Sequence, residues 1–173
     1  MTATFQSAVS IQQGFGVPGD IFQDVPWVVQ SYVLVSTPEA NTVGSTAYTI
    51  TSPGFAQAGS GGTLGFAGIL AAPKSYSLFG TSGAPLAPTL ILPDNTQGEL
   101  LTQGMMIVTL PAAANIGDYV LFDNTTGILE TVSPTGTLPS GKSFANAVVA
   151  LYNVSAAGLA VIQVTSIINP IPS

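Results

Sequence analysis

Ionisable side chains are scarce in this chain. Its 173 residues include no cysteine, no histidine and no arginine, and two lysines and eight acidic residues leave a formal net charge of −6. Without cysteine there are no disulfides and no thiolate metal ligands, and without histidine the commonest general base and a usual zinc ligand are missing. Ser–His and Cys–His nucleophile pairs are therefore excluded.

Low charge also limits the possible partners. A nucleic-acid site needs clustered basic residues to neutralise phosphates, and the chain offers only Lys74 and Lys142. Charged residues make up 6% of the chain, against about 25% in a typical soluble domain. Such a surface does little to keep copies apart. These features argue strongly against a nucleic-acid partner and favour a protein that works in contact with other proteins.

The apolar stretches do not predict a membrane partner. The charge-free stretches 40–73 and 143–173 are long enough to span a bilayer, but Gly, Pro, Ser, Thr or Asn interrupts them every few residues. The N-terminus lacks the basic and apolar regions of a signal peptide. We expect a soluble protein made in a cytoplasm.

Strand patterns dominate the chain. Nineteen Gly and thirteen Pro punctuate it, and a hydrophobic content of 46% is too high for a disordered chain. Short strands separated by turns predict an all-β fold, either a compact β-sandwich or a β-barrel. We expect this domain to span residues 31–173 and to follow an extended N-terminal arm over residues 1–30.

The predicted elements are short. Two hairpins are expected, one with its turn at 123–127, where Asp and Asn precede a Gly, and one with its turn at 155–158. A helical turn is expected at 112–114. Strands are expected at 32–35, 44–51, 64–70, 86–92, 104–110, 119–122, 128–132, 147–152 and 159–165.

The arm contains the residues that we expect to bind a partner. Three Gly and one Pro rule out a regular element between residues 14 and 20. Trp27 is a strong candidate because Trp is enriched at interface hot spots. Alternate residues fall on one side of an extended chain. The predicted interface residues are Phe5, Val9, Ile11, Phe15, Ile21 and Trp27.

No catalytic, cofactor-binding or metal-binding motif is present. Gly14 and Gly16 form only half of a dinucleotide fingerprint, and Gly and Pro continue where a helix would have to begin. Asp118 and Asp123 are considered as a pair for polysaccharide hydrolysis, but they are expected on opposite faces of one strand. We predict no enzymatic activity and no cofactor. A carbohydrate-binding module that uses exposed aromatic residues such as Trp27 stays open as an alternative.

Several stretches resemble the bacteriophage structural cement protein family. The resemblance covers about residues 13–165, and its most specific parts are TLPAAANIGDYVLFDNTTGIL (109–129) and QGFGVPGD (13–20). The weaker parts are FAGIL (66–70), PKSY (73–76), GTSG (80–83), APTLILP (87–93) and AGLAVI (157–162).

This resemblance implies a non-enzymatic capsid decoration protein. Its partner would be the phage major capsid protein, bound on the exterior of the head in the virion, where it would reinforce junctions between capsomers. Assembly would take place in the bacterial host cytoplasm. The resemblance also implies self-association. We expect a homotrimer on three-fold axes and keep a dimer on two-fold axes as the alternative.

Overall fold

All regular elements of the described residues are β-strands. The computed structural model describes residues 16–36, 41–59, 64–72 and 91–165. The predicted all-β fold is confirmed. The strands are β1 (Val28–Leu34), β2 (Ala47–Ser52), β3 (Phe55–Ala58), β4 (Phe66–Leu70), β5 (Gln97–Leu110), β6 (Tyr119–Asp123), β7 (Leu129–Val132), β8 (Lys142–Leu151) and β9 (Gly158–Val164).

Five of the strands close into a barrel. They follow the order β1-β3-β2-β4-β5, and β5 pairs again with β1. The pairing of β1 with β3 is parallel, with Val33 opposite Phe55, and the other four pairings are antiparallel. Of the two architectures that the sequence left open, the closed barrel is therefore the one formed.

The long strand β5 joins the barrel to a second sheet. It has 14 residues, of which the first half pairs with β1 and β4 and residues 104–110 pair with β9. The second sheet has the order β5-β9-β8-β6-β7 and is antiparallel throughout. One strand thus belongs to both halves of the fold.

A short stretch just before β2 connects the first and last strands of this second sheet. The backbone N–H of Thr109, in β5, donates to the carbonyl of Gly44 at 2.8 Å. The N–H of Leu129, in β7, donates to the carbonyl of Ser45 at 3.0 Å. The second sheet is therefore bridged by the same chain segment that enters the barrel.

Two hydrophobic cores lie on opposite sides of β2, β4 and β5. Successive side chains of a strand point to opposite faces, and in each of these strands two adjacent buried residues belong to different cores. Fully burying one such Leu or Ile contributes about 1.5–3 kcal/mol. The barrel core contains Tyr48, Leu70 and Leu100, and the core of the second sheet contains Ala47, Ile69 and Leu101.

One polar cluster, formed by Ser36, Asn41, Tyr48 and Asp94, reaches from the barrel core to the surface. The side-chain oxygen of Asn41 accepts hydrogen bonds from the hydroxyls of Ser36 and Tyr48, both at 2.7 Å. Its amide group donates to the carboxylate of Asp94 at 2.7 Å. Burial raises the pKa of Tyr48, so the phenol remains a donor. The hydrogen bonds offset the cost of burying these polar groups.

The predicted strands within the described residues are confirmed, with three differences. The helical turn expected at 112–114 is wrong, because Ala114 forms an isolated antiparallel bridge with Val154. The sequence patterns do not predict β3, whose four residues include no β-branched side chain, or the first half of β5. The strand expected at 86–92 lies almost wholly outside the described residues.

Candidate functional site

The QGFGVPGD motif contains a tight turn. The N–H of Asp20 donates to the carbonyl of Val17 at 3.1 Å, and Gly19 has a φ of +89°. With Pro18 at the second position, this is the pattern of a type II β-turn. The carboxylate of Asp20 also accepts the N–H of Val17 at 3.2 Å. The motif is therefore a turn that its own acidic residue closes.

The NIGD part of the longer motif is built in the same way. The N–H of Asp118 donates to the carbonyl of Asn115 at 3.0 Å, and Gly117 has a φ of +91°. The carboxylate of Asp118 accepts the N–H of Asn115 at 2.7 Å and is mostly buried. The two most specific motifs of the sequence thus contain the same turn, with Gly and Asp at matching positions.

The first of these turns packs backbone against backbone. A Cβ atom on Gly19 would lie 2.2 Å from the side chain of Val43 and 2.7 Å from the nitrogen of Ala72, and one on Gly44 would lie 2.4 Å from the nitrogen of Gly19. Contacts this close leave space for glycine alone. The carbonyl of Gly19 also accepts the N–H of Ala72 at 2.9 Å. The turn is therefore fixed against two other chain segments.

The residues after this turn add to one edge of β5. Ile21 forms an antiparallel bridge with Met106, and the N–H of Phe22 donates to the carbonyl of Met105 at 3.0 Å. Since β9 pairs with the same part of β5, residues 19–22 occupy the opposite edge. This part of the predicted arm lies along the domain.

The DNTTG turn between β6 and β7 also depends on a close approach between two glycine backbones. The carboxylate of Asp123 accepts the N–H groups of Thr125 and Thr126, both at 2.9 Å. A Cβ atom on Gly127 would lie 2.6 Å from the nitrogen of Gly59. Because Gly59 follows β3, this contact joins the second sheet to the barrel.

One ion cluster holds β6, β7 and β8 together. The ammonium of Lys142 lies 3.1 Å from the carboxylate of Asp123 and 2.6 Å from that of Glu130. The hydrogen bond from the N–H of Thr126, followed by that from Lys142, lowers the pKa of Asp123 to about 2. The hydrogen bonds to Glu130 and Asp123 raise the pKa of Lys142. Asp123 and Lys142 are therefore both charged at neutral pH.

Asp118 and Asp123, the carboxylate pair considered from the sequence, are not placed together for hydrolysis. Asp118 immediately precedes β6 and Asp123 ends it, so their Cα atoms are about 17 Å apart at about 3.3 Å per residue. Paired glycosidase carboxylates lie within about 10 Å of each other. Residues 16–36, 41–59, 64–72 and 91–165 also contain no group of three or more acidic, His or Cys side chains that could hold a metal ion. In the same ranges no helix is long and apolar enough to cross a membrane.

Two of the six predicted interface residues lie within the described part of the chain. Ile21 is half-buried and packs against the core of the second sheet. Trp27 is 38% exposed, and a Cβ atom on Gly104 would lie 2.8 Å from the Cβ of Trp27. The four that fall outside the described residues are Phe5, Val9, Ile11 and Phe15.

The structure brings Ile21 and Trp27 together on one groove of about 490 Å³, which we call the Trp27 groove. The other residues that line the groove could not be predicted from the sequence, because they are far apart in the chain and no local pattern shows that they are neighbours. Their only signal in the sequence is the QGFGVPGD motif, which contains Gly19 and Asp20 of the groove walls. The main wall residues are Asp20, Ile21, Trp27, Val29, Ala72 and Glu99.

The fold and the positions of the motifs indicate the class of protein. A closed barrel extended by a second sheet, with the most specific sequence motifs forming turns, defines an all-β protein. The family model for structural cement protein (E217 gp24/Pam3 gp6) matches residues 5–165. The chain belongs to the phage structural cement protein family, as the resemblance of its motifs indicates, and its role is structural.

A solved structure has a similar fold. It is a chain of the capsid of Myoviridae phage XM1, which is 18% identical in sequence and superposes with a TM-score of 0.57. The alignment covers 92% of this chain and 96% of that chain. At this identity the likeness shows the fold alone. No curated protein matches the sequence significantly.

The close packing of the first turn leads to a stability prediction. We expect Gly19→Ala to lower the free energy of unfolding by about 3 kcal/mol or more, because strained positive φ costs roughly 1–3 kcal/mol and overpacking costs roughly 1–3 kcal/mol. Urea denaturation measures the difference. The matched control is Gly117→Ala, which has nearly the same φ but no atom within 4 Å of the added Cβ. Equal losses in the two variants would contradict the packing argument.

The ion cluster leads to a pH prediction. The folded pKa of Asp123, about 2, is lower than its unfolded value of 3.8, so its contribution to stability is present above about pH 4 and is lost as pH falls towards 2. We expect Asp123→Asn to lower stability at pH 7 and to reduce the further loss between pH 4 and pH 2. Thermal melts across this range test it. Asp24→Asn, at an exposed carboxylate outside the cluster, should keep the wild-type acid dependence.

Proposed function

We propose that this protein cements the exterior of a tailed-phage head by binding the major capsid protein at junctions between capsomers. The observation that carries the proposal is its membership of the structural cement family over residues 5–165. The similar fold of a chain in a phage capsid supports the same role. The site of action is then the virion, with assembly in the host cytoplasm.

The surface chemistry supports a binding function. Large apolar side chains are exposed in several parts of the described structure, among them Val17 at 51%, Ile116 at 58% and Leu138 at 43%. Apolar contact area and backbone hydrogen bonds contribute to affinity without charged groups. A chain with two basic residues and no arginine must rely largely on such contacts.

The N-terminal residues are the proposed clamp. The turn at 17–20 fixes the chain against β5, which gives residues 1–15 a rigid starting point. An extended segment binds well by adding a strand to a sheet edge of its partner, with alternate side chains in pockets. The proposed anchors are Phe5, Val9, Ile11 and Phe15, with Ile21 and Trp27 at the base of the clamp.

Self-association would raise the overall affinity for the capsid, because several copies would bind at the same time. We propose a homotrimer on three-fold and quasi-three-fold axes, and a dimer on two-fold axes is the alternative that a mass measurement of the free protein distinguishes. Several linked weak contacts raise the apparent affinity by about 10²–10⁴ when the geometry lets them bind together.

Electron microscopy of the parent particle tests the proposed position on the capsid directly. Density for this chain inside the shell would contradict the proposal.

A carbohydrate-binding role is the second candidate. Tyr152 is 59% exposed and Trp27 is 38% exposed, and exposed aromatic rings can stack on sugars. A glycan array, with Trp27→Ala as the control, distinguishes this role from capsid binding. Binding to glycans but not to capsids would favour it.

The clamp predicts the effect of a truncation. A chain that begins at Gly16 keeps the turn and all nine strands, so we expect its melting temperature to change little. Its affinity for capsids that lack the cement protein should fall by at least about 100-fold, because linked contacts are lost. Cosedimentation measures the binding.

Substitutions in the full-length chain distinguish the effect of losing these side chains from the effect of shortening the chain. Replacing Phe5, Val9 and Ile11 with Ser should reproduce the loss of binding, whereas Gln6→Ala with Ser10→Ala, on the other side of an extended chain, should not. Wild-type binding by the truncated chain would show that residues 1–15 are not a clamp.

The low charge predicts a weak dependence on salt. Debye screening acts on exposed charges, so we expect capsid affinity to change by less than about tenfold between 0.05 and 0.5 M salt. An interface made of many ion contacts would lose about 10³-fold or more over a similar range. Equilibrium binding at several salt concentrations measures the slope, and a steep fall would contradict an apolar clamp.

A further inference from the structure

The Trp27 groove combines apolar walls with two carboxylates. Ile21 and Val29 lie over the core of the second sheet, and Ala72 packs on the barrel core, so the groove lies at the boundary between the two cores. Its volume of about 490 Å³ accommodates a long side chain. Asp20 is exposed and Glu99 is half-buried, and both line it.

Backbone hydrogen bonds hold both acidic residues in place. The carbonyl of Asp20 accepts the N–H of Ile107 at 2.9 Å, and the carbonyl of Glu99 accepts the N–H of Ala71 at 2.9 Å. A groove that is already formed loses little conformational entropy when it binds, which favours affinity.

We propose that the Trp27 groove binds a lysine or arginine side chain of the capsid protein. Such side chains lay an aliphatic stem along apolar surface while the cation stays at a polar rim. The stem would contact Ile21 and Val29, and the cation would meet Asp20 and Glu99 beside the ring of Trp27, where a cation–π contact adds to the binding. The inference rests on the proposed function and specifies the chemistry of its partner.

Charge complementarity favours a different protein over a second copy. The chain has only two basic residues and a net charge of −6. In the described part of the structure the ammonium of Lys142 is already bound to Asp123 and Glu130. Apart from Lys142, a second copy would bring only Lys74 as a basic side chain to this acidic groove, so a partner that carries more cations of its own fits the groove better.

Substitutions in the full-length chain test the groove on capsids that lack the cement protein. We expect Trp27→Ala to weaken binding by about tenfold or more. Glu99→Gln should weaken it a few-fold and reduce the remaining salt dependence, and Glu99→Lys should weaken it more because it repels a cation. Asp20 is left intact because its carboxylate closes the turn.

Two matched controls remove similar groups elsewhere. Asp24→Asn removes an exposed carboxylate that does not line the groove, and Ile128→Ala removes an exposed apolar side chain beside the DNTTG turn. Both should bind within about twofold of wild type. Thermal melts confirm that each variant is folded.

The possible outcomes separate the inference from the proposed function. If the wild-type chain does not bind capsids, the proposed function itself fails. If the wild type binds and Trp27→Ala and Glu99→Lys bind equally well, the groove has no part in capsid binding. Stronger binding by Glu99→Lys would mean an acidic partner and would overturn the inference. Loss of self-association with unchanged capsid binding would assign the groove to contacts between copies and would equally overturn it.

Discussion

Close contacts between glycine backbones hold the turns of this protein against its sheets. Gly19 meets Gly44, and Gly59 meets Gly127, at distances that leave no space for a Cβ atom. The first contact fixes the chain that leads into β1, and the second joins the β6–β7 turn to the barrel. Residues 44–47 also bond to both ends of the second sheet. These glycine contacts and hydrogen bonds hold the barrel, the second sheet and the residues of the Trp27 groove in their relative positions.

Five of the eight charged residues in the described part of the chain also hold turns or strands in place. Asp20, Asp118 and Asp123 each accept backbone N–H groups within a turn, and Glu130 pairs with Lys142. Carboxylates that a search for an active site would consider first are thus used to close turns. In the proposed function, binding is left to exposed apolar side chains and to the Trp27 groove.

Local patterns explain what could be predicted. The β6–β7 and β8–β9 hairpins were predicted correctly because adjacent strands and their turn residues lie within one stretch of sequence. β3 was missed since its FAQA sequence owes its strand conformation to β1 and β2 on either side. For the site, Ile21 and Trp27 could be named from residue type, but Asp20, Ala72 and Glu99 could not be placed beside them.

The sequence by itself determined the class of fold, the positions of the turns and the family, because turn chemistry, strand alternation and short motifs are local properties. It also excluded His- and Cys-based chemistry through composition alone. Only the tertiary structure decided between sandwich and barrel, since closure depends on β1 pairing with both β3 and β5. It alone assembled the groove, because residues 20, 27, 72 and 99 become neighbours through pairings between distant strands, which no local pattern specifies.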